Sequence, residues 1–105
     1  MKRGEVRWYE FRRPDKNRPV VILTRDSIIP YLGEVTVAPV TTTVRDIPSE
    51  VLLGRADGMA RQCAVNCDHL QTVAKRRIGS LITTLTSSRM SEVAAAIAFA
   101  IALNE

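Results

Sequence analysis

Arg18, the run Thr41 to Thr43, Asn66, Asp68 and His69, together with the basic segments at 12–16 and 75–77, are the polar residues of this 105-residue chain that carry chemistry beyond solvation. Arginine is a permanent cation with planar donors, suited to phosphate or carboxylate and poorly suited to moving protons. A threonine hydroxyl hydrogen-bonds well and is a weak base unless neighbours help it. His69 is the single imidazole of the chain, and an imidazole titrates near neutrality. Each residue also has a plain structural reading: Arg18 as a solvated strand-end charge or ion-pair partner, the threonines and Asp68 as turn residues, His69 as a surface or structural residue. None of them is a stand-alone motif. The chain has no glycine-rich phosphate loop, no HExxH, no paired-cysteine zinc signature and no serine elbow, which disfavours nucleotide-driven, metallo- and α/β-hydrolase chemistry. Cys63 and Cys67 with one histidine are too few ligands for zinc. They are expected to be reduced, buried thiols, and that points to a cytoplasmic location.

A formal charge of +4 and a pI near 9.6 call for an anionic partner, nucleic acid or an acidic protein. Only Lys2, Lys16 and Lys75 of the fifteen cations are lysines, and arginine is the residue for bidentate recognition of phosphate, although arginine-rich coding bias gives the same excess. The length fits one domain over residues 1–105, with one sheet and one or two helices. The N-terminus lacks the apolar core of a signal peptide. The longest apolar stretch, Val93 to Leu103, is about half of what a bilayer span needs, so a soluble protein with no membrane partner is expected.

The element that positions the chemistry is NRPVVILTRD, residues 17–26. Val20 to Thr24 is an uninterrupted, mostly β-branched run, which predicts a mid-sheet strand buried on both faces. Pro19 cannot donate to a ladder, so it opens that strand and leaves Arg18 at the mouth of the sheet. Glu5 to Phe11 predicts a first strand with Val6, Trp8 and Glu10 on one face and Glu5, Arg7, Tyr9 and Phe11 on the other, and Trp8 is expected in the core. Residues 12–17 form a polar connection. Asp26 is expected to cap a single helical turn limited by Pro30 and Gly33. Further strands are predicted at Val35 to Val40, Glu50 to Leu53, Arg61 to Asn66 and His69 to Val73, with 55–59 as a loop. From Thr86 or Ser87 a helix is predicted, with Met90, Val93, Ile97, Ala100 and Ile101 at helical spacing. Phe99 and Leu103 broaden its apolar face, for burial within the domain or at a subunit interface. The fold class expected is α+β, mainly β.

Taken in order, RGE near the start, RPVVILTRD, VTVAPVTTT, AVNCDHLQTVAKRRIG and a final LTSSRMSEV resemble the MazF/PemK (Kid) family of toxins, over essentially the full chain. The most specific pieces are the Arg-Pro opening a hydrophobic strand and the block containing Asp68, Leu70, Thr72, Val73 and Arg77. The resemblance implies a small SH3-like β-barrel or twisted antiparallel sheet with a short helix and a C-terminal helix. It also implies a homodimer and a metal-independent, cofactor-free, sequence-specific endoribonuclease acting on single-stranded RNA, chiefly mRNA. Such a toxin of a type II toxin–antitoxin system is blocked by a cognate antitoxin.

Residue by residue, the resemblance matches Arg18 to the family's catalytic arginine and Thr41 to the threonine at the end of the third strand. Asp68 falls at an acidic position that some members use, a weaker catalytic candidate. Asn66 stands where at least one member has a second arginine. Arg12, Arg13, Lys16 and Asn17, with Thr42, Arg45, Asn66, His69, Lys75 and Arg77, are the candidates for RNA contact, and Trp8, Tyr9 or Phe11 for base stacking. The expected chemistry is attack by the RNA 2′-hydroxyl, giving a 2′,3′-cyclic phosphate and a 5′-hydroxyl. A reading from a different class is a non-catalytic nucleic-acid-binding or topoisomerase-inhibiting module on the same fold; a third is an inactive structural paralogue.

Overall fold

The computed structural model describes residues 1–10 and 17–103. It is mainly β, with strands β1 (Glu5–Glu10), β2 (Asn17–Ile22), β3 (Glu34–Thr41), β4 (Glu50–Leu53), β5 (Cys63–Asn66), β6 (Gln71–Ala74) and β7 (Ile78–Thr84), and one helix, α1 (Ser87–Ala100). The strands form an antiparallel sheet in the order β4-β5-β3-β2-β1-β7, and β6 pairs with β3. The long strand β3 serves three neighbours: Glu34 to Val37 face β6, Val37 to Pro39 face β2, and Val40 and Thr41 face β5. A strand shared in this way must curve, and of the two forms expected the sheet is the twisted antiparallel one: it is open, with β4 and β7 at its two ends.

Strand β2 lies between β1 and β3, as its apolar run predicts. Val20, Val21 and Ile22 are fully buried. Val21 packs in one core with Val6, Val65, Val93 and Ala96, while Val20 and Ile22 pack in a second core with Val35, Val37 and Val73. Both faces of the strand are therefore covered. It ends at Ile22 rather than Thr24, whose hydroxyl instead accepts the Thr36 N–H at 2.7 Å.

Trp8 is a correction: it is 41% exposed, whereas Tyr9 is buried. The β1–β7 register slips between Val6 and Arg7 and again between Arg7 and Tyr9. The alternation itself holds, because the β1–β2 ladder runs unbroken from Val6 opposite Val21 to Trp8 opposite Pro19: Trp8 keeps the Val6 face but stands at the open margin of that core, while Tyr9 is buried in the second core on the other face. Other boundaries shift as well. Asp26 caps no helix; its Oδ1 accepts the Arg3 N–H at 2.7 Å, and the short turn at Ile29–Tyr31 has no side-chain cap. Arg55–Asp57 forms a 3₁₀ turn within the predicted loop. His69 belongs to the 3₁₀ turn Cys67–His69, ahead of β6 rather than in it. Strand β7 had no counterpart in the sequence reading. Phe11 lies outside the described residues.

Helix α1 starts after Thr86, whose hydroxyl accepts the Arg89 N–H at 3.1 Å. Val93 and Ala96 are its buried positions, with Met90, Ile97 and Ala100 packed at the margin, but Phe99, Ile101 and Leu103 are exposed. Arg89 also reaches Asp57 at 2.8 Å, tying the helix to the Arg55–Asp57 turn; this hydrogen bond holds the Asp57 carboxyl below its ordinary range. Next to it, Gly58 has φ +91°, and a Cβ there would overlap the Thr83 hydroxyl, which donates to the Asp57 carbonyl at 3.0 Å. Gly58→Ala is expected to cost about 2–4 kcal/mol in chemical denaturation, from backbone strain plus the clash.

Both cysteines are free and buried, as expected. Burial, followed by the Asp68 and Glu50 carboxylates, pushes the Cys67 thiol up to about 11, and burial, then Asp57, raises Cys63. Neither thiol is expected to react with a thiol-specific reagent at neutral pH until the chain unfolds, and labelling during a denaturant titration checks this. An unfolded thiol ionises first, so the stability contributed by keeping Cys67 protonated should fall as pH rises from about 9 towards about 11.

Candidate active site

The residues with chemistry gather where three strands end. Arg18 is the second residue of β2, Thr41 the last of β3 and Asn66 the last of β5. The β2–β3 ladder ends with Val20 opposite Pro39, so Arg18 and Thr41 lie two residues beyond it on adjacent strands, and both line the same cleft. Antiparallel pairing is what lets the start of one strand meet the end of the next. Arg18, Thr41, Thr43, Arg45, Asn66, His69 and Gln71 line one open cleft of about 360 Å3, together with Pro39 and Val40.

The polar groups here are held by one another. The Thr41 hydroxyl accepts the Thr43 N–H at 3.0 Å, which leaves its own proton available to donate elsewhere. Asn66 is buried; its Oδ1 accepts the Asp68 N–H at 3.1 Å, so its Nδ2 faces His69 Nδ1 at 3.3 Å. With the amide donating, the imidazole Nδ1 accepts and the His69 proton sits on Nε2. At the rim, the Arg45 N–H and guanidinium approach Glu50 at 2.9 and 3.4 Å. The Glu50 side chain is only 1% exposed, so it is a fixed anchor for Arg45. Two guanidiniums, a donor hydroxyl and an imidazole with a set tautomer can receive a phosphodiester and donate to its oxygens.

Six of the residues singled out in the sequence thus share the cleft: Arg18, Thr41, Thr43, Arg45, Asn66 and His69. The others lie elsewhere. Asp68 is exposed, outside the cleft, and its carboxylate accepts the Ser49 hydroxyl at 2.5 Å, which fastens the 42–49 connection to the Cys67–His69 turn. Thr42 lines a neighbouring pocket, and Asn17 and Arg77 line a third cavity beside Trp8. The Lys75 ammonium donates to the Ile29 carbonyl at 2.7 Å. Lys75 follows Ala74, which pairs with Glu34 at the start of β3, so the length of that strand, about 23 Å at 3.3 Å per residue, separates it from Thr41. Arg12, Arg13 and Lys16 lie outside the described residues. Two residues escaped the sequence reading. Gln71, in the cleft, is a single polar residue opening a strand and carries no pattern of its own, whereas Glu50, the anchor of Arg45, was visible as an acid directly before the apolar run VLL but only as a local signal. Among the described residues no group of three His, Cys, Asp or Glu side chains stands close enough to hold a metal ion, and no helix is long and apolar enough to cross a membrane.

A small, curved antiparallel sheet with a cationic, hydroxyl-bearing cleft at its strand ends defines a protein built to engage a phosphodiester. Comparison with known proteins narrows this. Residues 2–101 match the family of PemK-like, MazF-like toxins of type II toxin–antitoxin systems. The endoribonuclease MazF3 of Mycobacterium tuberculosis is 43% identical over 83 residues, covering 79% of this chain and 81% of that protein. The probable endoribonuclease MazF5 of the same organism is 39% identical over 100 residues, 94% and 91% of the two chains. The solved structure of Mycobacterium tuberculosis toxin MazF-mt6 superposes with a TM-score of 0.86 at 38% identity, covering 93% of this chain and 96% of that one. The chain belongs to the MazF/PemK toxin family and is an endoribonuclease of a type II toxin–antitoxin system.

Proposed function

We infer that the cleft cleaves single-stranded RNA, chiefly mRNA, without a metal ion or cofactor, and that Arg18 and Thr41 carry the reaction. The observation that supports this most is that both line one cleft at the β2 and β3 ends, together with Arg45 and His69. The 2′-oxygen attacks the adjacent phosphorus and the bond to the 5′-oxygen breaks. The 2′-hydroxyl loses a proton, the 5′-oxygen gains one, and a 2′,3′-cyclic phosphate and a 5′-hydroxyl result. Arg18 donates to the phosphoryl oxygens as their charge builds, a role that a permanent cation fills without moving a proton. Thr41, already accepting from Thr43, turns its hydroxyl proton toward the phosphate. His69 presents Nε2–H as a further donor, and Arg45 binds a neighbouring phosphate. Asp68 retains a supporting place, fixing the turn that carries His69 through Ser49.

Residues 1–105 act as one toxin domain, in the cytoplasm and as a homodimer. A cognate antitoxin is the protein partner: a mycobacterial endoribonuclease of this fold, 26% identical with a TM-score of 0.87, is known in complex with its own. A cleft built for phosphates suits an acidic antitoxin segment competing with RNA. The direct test is incubation of purified protein with a long unstructured RNA in the presence of EDTA. Discrete fragments are expected, and intact RNA would contradict the reading. Thr41→Ala should lower kcat about 10- to 100-fold while leaving the melting temperature nearly unchanged, the loss expected for one hydrogen bond to a charged oxygen.

A further inference from the structure

The end of β3 separates two cavities. On one side is the cleft of Arg18; on the other, a pocket of about 290 Å3 is walled by Trp8, Pro19, Met59 and Ile82, with Thr42 and Arg61 as polar members. Val40 and Thr41 belong to both cavities, so a chain whose phosphate lies against Thr41 has its next base at the mouth of this pocket. Trp8 stands in cross-strand register with Pro19, the residue after Arg18. In the unbroken β1–β2 ladder it shares the face of Val6, and it stands at the open margin of that core, beside Val40, Met59 and Cys63. A flat, half-exposed aromatic face beside a phosphate cleft, in a pocket otherwise apolar, is the arrangement that receives an unpaired base.

We propose that this pocket is a nucleobase subsite: the base adjoining the scissile phosphate stacks on Trp8, and its polar edge meets Thr42 and Arg61, which contributes to the choice of cleavage sequence. The inference rests on the RNA-cleaving reading and goes beyond it. Trp8 is the sole tryptophan of the chain, so intrinsic fluorescence reports on the site directly. The probe is a single-stranded RNA carrying the cleavage sequence found by end mapping, with a 2′-deoxynucleotide at the scissile position. Saturable quenching is expected, and an abasic replacement at the adjoining nucleotide should remove it. Trp8→Ala should raise KM for the cleavable RNA about 10- to 100-fold, Trp8→Phe should restore most of the loss, and both should melt close to the parent protein. Binding seen by anisotropy with no change in fluorescence, or an unchanged KM and cleavage sequence in Trp8→Ala, would overturn the subsite while leaving the ribonuclease reading intact. A defect confined to binding of an acidic antitoxin peptide would assign the pocket to protein and also overturn it. Failure of the parent protein to bind or cut RNA would remove both.

Discussion

Arg18→Ala is expected to lower kcat for RNA cleavage by about 100- to 1,000-fold, the loss typical when one preorganised donor to a developing anion is removed. The side chain is exposed at the mouth of β2, while Val20, Val21 and Ile22 hold the strand in place. The melting temperature should therefore stay close to that of the parent, which separates a catalytic loss from unfolding. Arg18→Lys sharpens the test. It keeps the charge but gives up the planar pair of donors, so it should recover only a small part of the activity. A kcat within a few-fold of the parent for Arg18→Ala would remove this residue from the mechanism.

The second large effect concerns the substrate. If the nucleophile is the RNA 2′-hydroxyl, a single 2′-deoxynucleotide at the mapped scissile position should reduce cleavage there below detection, because no other group in the cleft is proposed to attack phosphorus. Binding should change little, since the phosphates and bases that Arg18, Arg45 and the Trp8 pocket engage are still present. The modified strand then becomes a competitive inhibitor of the unmodified one. Cleavage at the deoxy position at an undiminished rate would show that water or a protein group attacks instead.

The parts of this molecule that were legible in the sequence are those decided by local chemistry. Val20 to Ile22 announces a strand covered on both faces, but Pro19 does not open it: β2 begins at Asn17, and Arg18 already pairs with Tyr9 of β1, because only the β3 side of the strand ends near the proline. Thr86 and the alanine-rich run after it fix the start of α1. What the sequence hides depends on pairing between distant strands. Trp8 shares the face of Val6 but stands at the margin of that core, which residue type does not reveal, and β7, IGSLITT, alternates poorly and has Gly79 near its start, so its pairing with β1 was not readable from its own residues. The cleft likewise depends on β3 bending from β6 to β5, which brings Asn66, His69 and Gln71 beside Arg18 and Thr41. The ordered resemblance to a toxin family pointed to Arg18 and Thr41 as a pair. The structure adds Glu50 and Gln71 to their surroundings and places Asp68 and Lys75 outside the cleft.

The non-catalytic binding module on the same fold finds no support in the relatives, which are endoribonucleases and probable endoribonucleases at 39–43% identity. The measurement that bears most directly on the central claim is the chemical analysis of the ends left on a long unstructured RNA cut by the purified protein in EDTA. The account predicts 5′-hydroxyl ends that a kinase can label without prior phosphatase treatment, paired with 2′,3′-cyclic phosphates on the upstream fragments. Fragments carrying 5′-phosphates, or cleavage that appears only after magnesium is added, would contradict it.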